Sequence, residues 1–76
     1  MIATRKIEDL TFDKNTMFLK IDGKVFRISI ERASVKLVLA NDAERGFYKI
    51  SPSGYGIHWP LIDEDLSIDS LIEMAE

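Results

Sequence analysis

His58 is the chain's only histidine and Trp59, beside it, the only tryptophan. The acids Asp63, Glu64 and Asp65 follow a few residues later. A histidine next to carboxylates can pass protons as an acid–base pair or join a metal shell. Nucleophilic catalysis would add a hydroxyl, and Ser51, Ser53 and Ser67 are near enough in sequence to be weighed. None of them lies in a recognisable nucleophile motif. A single histidine with loop acids lacks the ligand spacing that specifies a metal, and Gly54-x-Gly56 lacks the rest of a phosphate loop. Chemistry alone therefore predicts no catalytic residue, no metal and no cofactor, with a small enzyme using His58 kept as an alternative. In the simpler structural reading, His58 sits on a strand face and bonds a nearby carboxylate or carbonyl. The acids then favour the dipole of a following helix, and Tyr48 and Tyr55 are core or rim aromatics.

The same residues form a candidate interaction surface: His58, Trp59, Asp63, Glu64, Asp65 and Asp69. Tryptophan is enriched among binding anchors, although its commoner place is the core. Charge supports a surface there. All ten Lys and Arg residues lie at or before Lys49, and residues 50–76 carry six acids and no base. Such a split steers a basic partner toward the C-terminal region. The net charge of −3 argues against nonspecific duplex binding, which needs clustered bases. Arg5, Lys6, Lys20, Arg27, Arg32 and Lys36 are the residues from which a nucleic-acid face would be built.

Positioning these groups falls to a small fold. A chain of 76 residues is expected to form one domain, 1–76. It buries only about 60% of its unfolded surface and has no cysteine to staple it. No apolar run reaches the roughly 20 residues of a membrane span. The N-terminus lacks the apolar stretch of a signal peptide, so the cytoplasm is the expected compartment.

Asp22-Gly23 between alternating runs predicts a type I′ hairpin over 16–30. Pairing outward sets Ile21 against Lys24, Leu19 against Phe26 and Met17 against Ile28, which gathers the apolar residues on one face. Phe18 and Val25 fall on the other. Residues 3–12 read as a first strand with a bulge near Glu8-Asp9, and 13–15 as a turn. Residues 34–46 read as a helix in two pieces. Ser34 caps the first, Asn41 and Glu44 form a capping box for the second, and Gly46 is a left-handed terminator. Val35, Val38, Leu39 and Ala43 are its expected apolar face. A second hairpin over 47–59 turns at 51–54 and pairs Ile50 with Tyr55. Gly56 marks a bulge or a close approach by another element. Pro60 stops the strand, 61–66 reads as loop, and Ser67 caps a terminal helix with Ile68, Leu71, Ile72 and Ala75 on one face. So short a helix must dock to persist. The prediction is an α+β fold of order βββ-α-ββ-α: an antiparallel sheet of two hairpins plus an N-terminal strand, with two short helices.

The run Gly54-Tyr55-Gly56-Ile57-His58-Trp59-Pro60, then Ile62-Asp63-Glu64-Asp65-Leu66-Ser67 and Leu71, resembles the C-terminal signature of the bacterial domain-of-unknown-function family DUF2442. The Asp22-Gly23 hairpin and the helix after it match that family's layout. The resemblance implies a small α+β domain of bacteria and their mobile elements. Some relatives carry a helix-turn-helix domain after this module, and a chain ending at Glu76 is expected to lack it. Others are encoded beside another small protein, in arrangements like toxin–antitoxin pairs. The family supplies no catalytic residues to carry over. The expectation is a non-catalytic protein-interaction module, antitoxin-like toward a neighbouring small protein, with contacts in Asp63 to Glu76 and Trp59 at their root. An accessory regulatory domain touching nucleic acid is the alternative. A protein partner or a homodimer is expected, and no membrane.

Overall fold

Two three-stranded antiparallel sheets set the frame among the described residues. The computed structural model describes residues 6–52 and 54–76. Strands β1 (Ile7–Asp13), β2 (Thr16–Ile21) and β3 (Lys24–Ser29) form one antiparallel sheet in that order. Asp22 and Gly23 have φ of 49° and 84°, the two positive angles a type I′ turn demands. The predicted register holds, with Ile21 opposite Lys24, Leu19 opposite Phe26 and Met17 opposite Ile28. The β1–β2 register shifts between Ile7 and Asp9, so Glu8 is the extra residue of the bulge. Its carboxylate accepts the Gly23 N–H and ties the bulge to the turn. The part of the first strand predicted over Ala3 to Arg5 lies outside the described residues.

Three short helices follow: α1 (Ile30–Ala33), α2 (Val35–Leu39) and α3 (Asp42–Gly46). The first lies outside the expected helix over 34–46, and the expected hairpin over 16–30 includes its Ile30. Ile30 instead enters a helical turn, fully buried. Ser34 closes α1 through its N–H to the Ile30 carbonyl and caps α2 by accepting the Leu37 N–H at 3.1 Å. The capping box of α3 is present in both halves, Glu44 N–H to Asn41 at 2.8 Å and Asn41 N–H to Glu44 at 2.9 Å. Gly46 is not the left-handed terminator, because only Gly23 and Gly54 among the described glycines have positive φ. The helix ends through the Phe47 N–H on the Glu44 carbonyl.

A second antiparallel sheet has the order β4 (Lys49–Ile50), β5 (Gly56–Trp59), β6 (Glu64–Ser67). Strand β6 corrects the expected loop over 61–66. The register of β4 on β5 is also corrected: Ile50 pairs with Ile57, not Tyr55. The Ser51 hydroxyl accepts the N–H groups of Tyr55 and Gly56 at 2.8 and 3.0 Å, and the Ser51 N–H reaches the Gly56 carbonyl. Ser51 is thereby kept in the ladder and the loop moves on by one residue. Tyr55 becomes exposed, while Ile57 and Trp59 keep their inward face. Ser53 lies outside the described residues. Helix α4 (Ile68–Met74) starts at Ser67, whose hydroxyl accepts the Ser70 N–H at 3.1 Å.

The core joins both sheets and three helices in one cluster: Leu10, Met17, Leu19, Ile21, Ile28, Ile30, Leu37, Ile57, Trp59, Ile68 and Leu71. The terminal helix docks as predicted, through Ile68 and Leu71, and the Glu76 N–H closes onto the Arg27 carbonyl at 2.8 Å along the β3 edge. The arrangement is an α+β fold.

Candidate interaction surface

Trp59 leaves the candidate surface. Its side chain is fully buried, and its indole N–H donates to the Arg45 carbonyl at 3.0 Å. The Tyr48 ring lies 6.3 Å away, tilted by 54°, in the range of favourable aromatic pairs. Alternation along β5 puts Trp59 in the core and its neighbour His58 on the outer face.

His58 and Asp65 are brought together. They are partners in the β5–β6 register, and Nδ1 of His58 lies 2.8 Å from Oδ1 of Asp65. This is the strand-face histidine bonded to a carboxylate that the simpler reading predicts. Lys49 precedes His58 in the same cross-strand row, on β4. The side chains of His58 and Asp65 are 40% and 76% exposed, so solvent screens this pair and its contribution to stability is small.

The other acids diverge. Glu64 turns inward and accepts from the Ser34 hydroxyl. It also accepts the Asp65 N–H at 3.0 Å, which blunts the free edge of β6. Asp63 takes a positive φ of 52° in the β5–β6 turn. Its side chain is exposed, and its carbonyl accepts the Lys36 ammonium at 2.8 Å. Asp69 is exposed in the first turn of α4, where negative charge suits the dipole. Among the described residues no three His, Asp or Glu side chains stand close enough to hold a metal ion.

The two described serines near His58 have structural duties. Ser67 Oγ caps α4 and donates to Ser70 Oγ at 2.8 Å, and Ser51 Oγ holds the hairpin loop. Of the basic residues, Lys20 and Arg27 do share the outer face of the first sheet. Asp9 stands opposite Lys20 in the register and Phe18 opposite Arg27, so the face is a mixture of signs. Arg5 lies outside the described residues.

The apolar part of the surface was missed in the sequence. The expected apolar face of the two-piece helix over 34–46 includes Val35 and Leu39. They are 69% and 81% exposed, and Leu37 points into the core instead. The helix breaks after Leu39, so no single phase runs through 34–46, and buried Ser34 sets the rotation of α2. Val35 and Leu39, four residues apart, share one helix face. Leu61, 58% exposed, belongs to the β5–β6 turn. That turn is held to α2 by Lys36–Asp63 and Ser34–Glu64. The capping box of Asn41 with Glu44, legible in the sequence, restarts the helix and cancels the phase inherited from Ser34, so Val35 and Leu39 need not share a face with Ala43.

No curated protein and no solved structure matches this chain. The family model described as "Protein of unknown function (DUF2442)" matches residues 7–76. That span takes in both sheets, all four helices and the signature around His58, and the chain belongs to the DUF2442 family.

Proposed function

We propose that the chain is a protein-interaction module whose contact surface is the flank formed by α2 and the β5–β6 turn. The observation that carries this reading is the exposure of Val35, Leu39 and Leu61 beside a turn that begins an acidic segment. Exposed apolar side chains grouped within a charged rim are the usual composition of a partner site. Asp63 supplies an exposed acid in the β5–β6 turn, and residues 50–76 carry no Lys or Arg. The partner that fits is a small protein presenting apolar side chains ringed by Lys or Arg. An antitoxin-like role toward the product of a neighbouring gene is the biological form of this reading. It draws on the family resemblance and on the charge split along the chain.

Co-expression with the neighbouring gene product, followed by affinity purification and size-exclusion chromatography, tests it. A stoichiometric complex that Leu39→Asp removes is the expected result. A folded chain that forms no complex at micromolar concentration overturns the reading.

A further inference from the structure

The outer face of the β4-β5-β6 sheet holds a groove that the proposed contact surface does not use. Its volume is about 630 Å³, inside the roughly 300–1,000 Å³ of small-ligand sites. The row Lys49–His58–Asp65 crosses one end of it. Asp65 holds Nδ1 of His58 at 2.8 Å, which orients the ring and leaves Nε2 for a ligand. Nε2 can accept from the hydroxyl of a phosphate monoanion or, when protonated, donate to its oxygen. The Lys49 ammonium makes no ion pair or hydrogen bond among the described residues.

The other end is shaped differently. Gly56 is on the same strand face as His58, two residues along β5, a separation of about 7 Å by strand rise. It leaves a gap one side chain wide in that face. Tyr55, 72% exposed, and Pro52 line this end of the groove. The strand positions that carry the two ends, His58 and Gly56, therefore lie about 7 Å apart, and Ser51 and Ser67 flank the gap at Gly56. A ribose between phosphate and base spans that separation, and a base stacks readily on an aromatic side chain.

We infer that this groove binds a nucleoside 5′-monophosphate, its phosphate on Lys49 and His58 and its base over Gly56 against Tyr55. The inference is independent of the protein-partner reading, because the groove and the α2 flank use different residues.

Titration of ¹⁵N-labelled protein with AMP tests it, with adenosine and inorganic phosphate as separate arms. Saturable amide shifts at Lys49, Gly56 and His58 are expected, with much weaker responses to adenosine or phosphate alone. Lys49→Ala and Tyr55→Ala, both at exposed positions, are each expected to weaken binding about tenfold, the loss of one charge-assisted or stacking contact. The spectrum of each variant reports its folding directly. No shift at millimolar AMP overturns the inference. So does an equal response to inorganic phosphate, or AMP binding unchanged by Lys49→Ala.

Discussion

Gly56 lies hard against the backbone of Leu66 on the neighbouring strand: a Cβ at position 56 would meet the Leu66 carbonyl oxygen at 3.1 Å and little else. That oxygen belongs to a hydrogen-bonded strand and cannot swing aside as a side-chain tip could. Gly56→Ala is therefore expected to push β5 and β6 apart and cost about 1–2 kcal/mol, the scale of mild overpacking. Urea unfolding monitored by Trp59 fluorescence measures it. Gly23→Ala makes a useful companion, since Gly23 meets no neighbour and suffers only from its φ of 84°.

Arg45 is a clasp rather than a surface charge. Its guanidinium donates to the Leu37, Val38 and Lys14 carbonyls at 2.9, 3.3 and 2.8 Å. It thereby satisfies the C-terminal end of α2 and joins it to the β1–β2 turn, with its Cζ 5.8 Å from the Phe12 ring centroid. Arg45→Ala is expected to lose about 2–3 kcal/mol, since donors on a charged group exceed neutral ones. Arg45→Lys is expected to recover less than half, because an ammonium cannot span the fork. Thermal unfolding of the two variants under one condition compares them.

Ser34 joins two elements through one hydroxyl. It caps α2 by accepting the Leu37 N–H and donates to Glu64 on β6. Ser34→Ala is expected to cost about 1–2 kcal/mol, the range for removing a helix cap. Glu64→Gln keeps an acceptor for the hydroxyl and is expected to cost under about 1 kcal/mol. A double-mutant cycle in urea isolates the coupling between them.

The first sheet was legible because its turn chemistry and its apolar alternation point to one register. Asp22-Gly23 permits a single loop, and moving the pairing by one residue would expose Met17, Leu19 and Ile28. The α+β class, the Glu8 bulge, the three helix caps at Ser34, Asn41 and Ser67 and the docking of the last helix were legible for similar local reasons. The second sheet was not. Strand β6 has Leu66 as its one apolar member, so alternation cannot announce it; it is held by its register with β5 and by the distant Ser34–Glu64 bond. The β4–β5 loop turns on the Ser51 hydroxyl, a contact that no periodicity records. Within the candidate site, the His58–Asp65 contact followed a stated expectation. Trp59 went to the core, and Val35 and Leu39 came to the surface, because rotation of a five-residue helix is decided by its cap and neighbours.

The central claim is that the α2 flank is a partner surface. Isothermal titration of the neighbouring gene's product against the chain and against Val35→Asp and Leu39→Asp tests it most directly. Both positions are exposed, so the variants are expected to stay as stable as the parent. Each is expected to weaken binding about thirtyfold, the effect of losing roughly 2 kcal/mol at an interface anchor. Binding of equal strength by the parent and both variants would contradict the account.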